Sequence, residues 1–191
     1  MYRHRDLSLV PAAYRGAAAA MGNFDGIHRG HRAVIDRAAA ADAPLGIVTF
    51  EPHPRSYFAP ESPPFRLMTA DTRARRLDTL GVEMLYELPF TAALAGLEAE
   101  VFVADVLAAR LGLSHLVVGA DFRFGRGRRG DAAMLVDLGA AAGITVEITP
   151  LVEDDAVAVS SSAIRAALAE GRPGDAAAML GDWHRIEGRV E

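Results

Sequence analysis

Two histidines three residues apart carry the most explicit chemistry in this chain, within Gly22-Asn23-Phe24-Asp25-Gly26-Ile27-His28-Arg29-Gly30-His31. A short apolar run, residues 17–21, precedes this glycine-bracketed loop, and a helical run, residues 32–41, follows it. The order strand, loop, helix puts both imidazoles at a helix N-terminus, where unpaired backbone N–H groups and the helix dipole attract anions. Imidazoles that donate hydrogen bonds, beside backbone that can approach closely, describe a phosphate site. A free imidazole with pKa about 6.5 is mostly neutral at neutral pH, and an adjacent polyphosphate favours its charged form. Either form can donate. Asp25 is the natural partner for added charge, through a divalent cation or as an orienting acceptor. The site is not a P-loop, because all 20 basic side chains are Arg and a P-loop requires a lysine.

Three further segments carry unusual chemistry. In Ser160-Ser161-Ser162-Ala163-Ile164-Arg165 the serines open a helix, either as a simple N-cap or as a second anion-binding helix start. Arg165, one turn on, has the fork geometry to pair with phosphate oxygens. Residues 119–130 interleave Arg123, Arg126, Arg128 and Arg129 with Phe122 and Phe124. Such a loop could stack single-stranded nucleic acid, close over a ligand as a flap, or be plain solvated surface. In Glu51-Pro52-His53-Pro54-Arg55 each proline constrains its predecessor to an extended backbone. His53 there could serve a turn or touch a ligand.

The elements that position these segments follow from the pattern between them. Strand-like runs at 45–50, 82–88, 115–119 and 144–149 alternate with helical runs at 70–80, 98–111 and 131–142. Gly81, Gly112 and Gly143 close those helices, and Asp131 is a suitable N-cap. Residues 52–64 are a proline-punctuated loop. This alternation implies an α/β domain with a central parallel sheet and helices on both faces. Ligands collect beyond the carboxyl ends of such strands, and the segments leaving those ends are 22–26, 51–54, 119–130 and 159–162. Their convergence argues for one shared site.

Composition sets outer bounds. At 191 residues, 51% hydrophobic and 24% charged, the chain fits one ordinary globular domain. Zero Cys removes disulfides, thiolate metal sites and cysteine nucleophiles, and zero Lys removes Schiff-base chemistry. A net charge of −5 speaks against a nucleic-acid scaffold. No apolar run reaches the roughly 18 residues of a membrane span, and Pro11 and Arg15 interrupt any signal-peptide core. A cytoplasmic protein without membrane or nucleic-acid partners is expected.

Taken together, the four segments resemble the prokaryotic FAD synthetase family, the FMN adenylyltransferase module of bifunctional riboflavin kinase/FMN adenylyltransferase. His28-Arg29-Gly30-His31 resembles the His-x-Gly-His signature of the nucleotidyltransferase superfamily. Phe50-Glu51-Pro52-His53-Pro54 is similar to the family's Pro-His-Pro segment, and Gly119-Ala120-Asp121-Phe122-Arg123-Phe124-Gly125 to its Gly-x-Asp-Phe-x-Phe-Gly element. Ser160-Ser161-Ser162-Ala163-Ile164-Arg165 resembles its Ser-Ser-Thr-x-x-Arg motif, with Ser162 in place of Thr.

The resemblance implies a Rossmann-like nucleotidyltransferase fold and a reaction in which ATP and FMN give FAD and pyrophosphate, with Mg²⁺. It implies catalytic roles for His28, His31, Ser161 and Arg165, the last two with Ser160 gripping pyrophosphate. Nucleotide contacts would come from Gly22, Asn23, Phe24, Asp25, Gly30, Gly119, Asp121, Ser160 and Ser162. Pro52, His53, Phe122 and Arg123 would lie toward the flavin. Residues 1–181 would form this domain, and residues 182–191 would begin a riboflavin kinase domain whose motifs lie beyond them, so that kinase activity is not expected of this polypeptide. Alternatives are a related adenylyl- or cytidylyltransferase with another acceptor, such as phosphopantetheine or nicotinamide mononucleotide, and a non-catalytic nucleotide sensor.

Overall fold

In the computed structural model, which describes residues 1–151, 153–154 and 157–186, six parallel strands form the centre of the molecule. They are β1 (Tyr2–His4), β2 (Ala18–Met21), β3 (Leu45–Glu51), β4 (Met84–Pro89), β5 (His115–Gly119) and β6 (Thr145–Thr149). Their order across the sheet is β1-β4-β3-β2-β5-β6, with every pairing parallel. β2 pairs on one side with β3 and on the other with β5, so the strand order reverses at β2. That reversal opens a crevice above its carboxyl end.

The sheet is buried on both faces, as alternating side chains show. Ala20, Ile47, Leu85 and Val117 pack against α1 (Arg29–Ala39) and α2 (Ala70–Thr79) through Ile35, Ala38, Ala74 and Leu77. Neighbouring positions such as Met21, Val48, Tyr86 and Leu116 face the opposite core. There they meet α3 (Ala99–Val101, continuing as a π-type helix Phe102–Leu111) and α4 (Ala132–Ala141). Gly112 ends α3 in the left-handed region at φ 65°, and Arg15 donates to the α3 carbonyls of Ala108, Ala109 and Arg110. A satellite core joins α5 (Ser161–Ala169) and α6 (Pro173–Leu180) to Leu67. The expected parallel sheet with helices on both faces is the observed architecture.

Several boundaries differ from expectation for local reasons. α1 starts at Arg29 rather than residue 32, because the His28 side chain caps it. β1 is too short to show a periodic pattern, and its pairing with β4 creates it. The 119–130 loop holds an antiparallel pair, Arg123–Phe124 with Gly130–Asp131. It is anchored by Arg126 N donating to the Leu97 carbonyl at 2.7 Å and by buried Phe124. Residues 182–186 form no strand, and residues 187–191, the rest of the segment expected to begin another domain, lie outside the described residues.

Candidate active site

The crevice above β2 is built first by the loop 22–28. Phe24 and Ile27 take positive φ values of 51° and 47°, a backbone conformation that costs about 1–2 kcal/mol for each non-glycine residue. Burial of both side chains, at 1% and 0% exposure, offsets that cost. Asp25 is also fully buried. Its carboxylate accepts from Leu67 N at 2.9 Å and Met68 N at 3.3 Å, and Arg165 Nη2 lies 2.6 Å from Oδ2. Ser161 Oγ donates to the Asp25 carbonyl at 2.7 Å, and Arg165 Nε to the Phe65 carbonyl at 2.7 Å. The distant Ser160–Arg165 helix start is thereby strapped to the loop. The Asp25 carboxylate accepts from Leu67, Met68 and Arg165, and neither His28 nor His31 is among its hydrogen-bond partners here.

At the head of α1, His28 Nδ1 accepts the backbone N–H of His31 at 3.3 Å. A neutral ring accepting at Nδ1 carries its proton on Nε2, so His28 presents a fixed Nε2–H donor. The His28 and His31 rings stack at 3.6 Å between centroids, and His31 leans on Phe24 at 5.1 Å. Burial pushes the His28 imidazole down to about 4, opposed by Asp25 and assisted by Arg165. His31 is held well below the usual range by burial and by His28. Both rings are therefore neutral at pH 7, which lets them stack without repulsion.

A Cβ on Gly30 would come within 3.2 Å of the His28 ring and 3.3 Å of the Val159 carbonyl. Glycine there lets the segment before α5 close on the first turn of α1. Ser160 caps α5 by accepting from Ala163 N at 3.1 Å, and Ser162 is exposed beside it. Gly22, Asn23 and the other loop residues thus converge with His28, His31, Ser160, Ser161 and Arg165. Gly119 and exposed Asp121 form the turn at the adjacent end of β5, where Phe122 N donates to the Gly119 carbonyl at 3.0 Å.

On the other flank, His53 is 8% exposed and turned inward. Its Nδ1 accepts from Arg55 N at 3.0 Å, capping the short helix Pro54–Phe58 that begins directly after Pro52 and His53. Its ring meets Phe65 edge-on at 5.1 Å. Burial lowers its pKa to about 4, with Asp25 raising it and Arg66, Arg165 and Arg73 lowering it. Sequence reasoning missed the exposed aromatic neighbours of this segment. Tyr57 and Phe58 pack on Phe90 at 5.4 and 5.7 Å, Phe90 on Phe50 at 5.7 Å, and Phe50 on Phe102 at 6.5 Å. Phe102 then meets Phe124 at 6.0 Å, and Phe124 stacks on Phe122 at 5.9 Å. A chain of aromatic contacts, running through the buried Phe102 and Phe124, therefore joins the Pro-His-Pro segment to Phe122, while Arg123 at its end faces Asp131 at 3.4 Å. Also missed was the fully buried Arg73 beneath Asn23, since an arginine among Arg75 and Arg76 reads as a solvated helix face.

The buried histidines set a pH dependence. In the unfolded chain each charges near pH 6.5, whereas His28 and His53 in the fold resist protonation down to about 4. Between those values the unfolded chain binds more protons, so stability falls as pH falls, by up to about 1.4 kcal/mol per unit for each histidine. The melting temperature is expected to drop from pH 6.5 toward 4, and more gently in His53→Gln. An equal slope in that variant would remove His53 from the account.

Magnesium, implied by the resemblance, finds no protein cage: among the described residues no group of three His, Cys, Asp or Glu could hold a metal ion. Asp25 already spends its oxygens on Leu67, Met68 and Arg165.

Residues 10–163 match the FAD synthetase family. The chain belongs to that family. It is 42% identical over 190 residues to the bifunctional riboflavin kinase/FMN adenylyltransferase of Pseudomonas fluorescens, covering 97% of this chain and 61% of that protein. Against the protein of that name from Escherichia coli K12 it is 36% identical, covering 96% and 60%. Against the FAD synthetase of Listeria monocytogenes it is 36% identical, covering 93% and 73%. The chain thus spans about 60% of the length of the bifunctional relatives. A solved structure described as a macrolide-efflux protein from Streptococcus pneumoniae superposes with TM-score 0.82 at 27% identity, covering 95% of this chain and 60% of that one. The pantoate-beta-alanine ligase of Francisella tularensis shares the fold, at TM-score 0.53 and 12% identity, with 95% and 84% covered. No helix among the described residues is long and apolar enough to cross a membrane.

Proposed function

We propose that this chain of the FAD synthetase family transfers the adenylyl group of ATP to the phosphate of FMN. A phosphate oxygen of FMN attacks the α-phosphorus in line; the bond to the β-phosphate oxygen breaks, and pyrophosphate departs with that electron pair. No protein nucleophile is needed, which suits a chain with neither Cys nor Lys. Catalysis then rests on positioning and on donors aimed at developing charge. His28, through Nε2–H, and His31 hold the ATP phosphates at the positive end of α1. Ser160 and Ser162 line the opposing helix start. Ser161 and Arg165 act chiefly by fixing Asp25, and through it the loop, rather than by gripping pyrophosphate. Magnesium would travel with the ATP phosphates, its usual mode of binding. A cytoplasmic setting belongs to the same proposal.

The observation that carries the flavin half is the aromatic pair at the exposed end of that chain of contacts, Phe58 at 68% exposure and Tyr57 at 36%. A planar isoalloxazine gains by stacking on such faces, and one aromatic pair contributes about 0.5–1.5 kcal/mol beyond its area. Phe58→Ala is expected to weaken FMN binding roughly 10-fold, at about 1.4 kcal/mol, measured by quenching of FMN fluorescence. Unchanged FMN affinity in that variant would place the flavin elsewhere.

A further inference from the structure

α2 carries Arg73 beneath the carboxyl edge of the sheet, where it is wholly buried. Nη1 donates to the Asn23 carbonyl at 3.2 Å, and Nη2 to Glu51 Oε2 at 3.2 Å and Glu87 Oε1 at 3.3 Å. Each of these partners is itself held from a second side. Thr49 Oγ1 donates to the Asn23 carbonyl at 3.2 Å. Arg66 Nη1 grips Glu51 at 2.6 and 2.9 Å, and Arg3 Nη2 reaches Glu87 at 2.8 Å. Asn23 lies two residues before Asp25 in the loop that leads to His28, and Glu51 directly precedes Pro52. One planar guanidinium therefore fixes the spacing between the loop after β2 and the segment after β3. A lysine ammonium, a single point charge without the fork, cannot hold both in that register.

We propose that Arg73 is a positioning residue that couples the nucleotide side of the site to the flavin side, so that binding of one substrate tightens the other. The inference rests on the FMN adenylyltransferase reading above. Arg73 touches neither histidine and lies under the backbone that carries the site, so it acts through Asn23 and Glu51. A displacement of either loop is transmitted because the guanidinium is rigid and the pocket around it is closed.

The test measures the dissociation constant of FMN with and without α,β-methylene ATP, in the wild type, Arg73→Lys and Glu51→Gln. The wild type is expected to bind FMN about 5-fold or more tightly with the analogue present, the lower range of typical couplings. Arg73→Lys should bind FMN alone within about 2-fold of the wild type while losing most of the analogue's effect. Glu51→Gln, which keeps the side chain's size, should behave alike and serves if circular dichroism finds Arg73→Lys unfolded. A merely structural Arg73 would lower the melting temperature and leave the ratio intact, which overturns the inference. A wild type that binds both ligands without mutual effect overturns it equally. A wild type that binds neither ligand refutes the adenylyltransferase reading, and the inference with it.

Discussion

His31→Ala is expected to lower kcat for FAD formation about 100- to 1,000-fold, the usual effect of removing one preorganised donor at a site of charge development. The ring stands in the first turn of α1, stacked on His28 and leaning on Phe24. Its charge is suppressed by burial, so the donor it would supply in the proposed mechanism is neutral, and the effect should fall on kcat more than on the KM for ATP. His31→Gln, which keeps a donor, should recover part of the loss. The cap at His28 uses the backbone N–H of residue 31, so the alanine variant keeps it and the fold. Steady-state kinetics with circular dichroism checks this; kcat within about 5-fold of the wild type would remove His31 from the mechanism.

Asp25→Ala is expected to destabilise the chain by about 3–5 kcal/mol, since it strands a partly buried guanidinium and two backbone donors. Total domain stabilities are about 5–15 kcal/mol, so urea unfolding in the cold is the suitable measurement. The lost partners are Arg165 Nη2, Leu67 N and Met68 N. Asp25→Ala combined with Arg165→Met should cost less than the sum of the single changes, because the second removes the charge left unpaired. Strict additivity of the two would contradict the pair. This prediction separates a carboxylate built into the loop from one reserved for a metal.

The alternation of strand and helix was readable because the strands are continuous apolar runs bounded by Gly and Pro, as in Leu45–Glu51 and His115–Gly119. The convergence of loops 22–28 and 159–162 was readable too, since both lead into helix starts, although 159–162 follows a separate antiparallel pair, Glu153–Asp154 with Val157–Ala158, and not a strand of the parallel sheet. The start of α1 was not. His28 is an uncommon N-cap among the usual Ser, Thr, Asp and Asn, and the helix consequently begins at Arg29, well before Val34 opens its buried apolar face. His53 repeats that device on the short helix Pro54–Phe58, which hid inside a proline-rich stretch. The chain of aromatic contacts was illegible because it joins residues far apart in sequence, from Phe50 to Phe124. Arg73 was illegible because its burial depends on two glutamates on neighbouring strands, Glu51 and Glu87.

The central claim is that this chain joins ATP to FMN. Its most direct test incubates the purified protein with both substrates and magnesium, separates the flavins by chromatography and measures released pyrophosphate. FAD and pyrophosphate accumulating in equal amounts, both dependent on FMN, are the predicted result. Pyrophosphate release that ignores FMN, or bound FMN and ATP with no FAD formed, would contradict the claim.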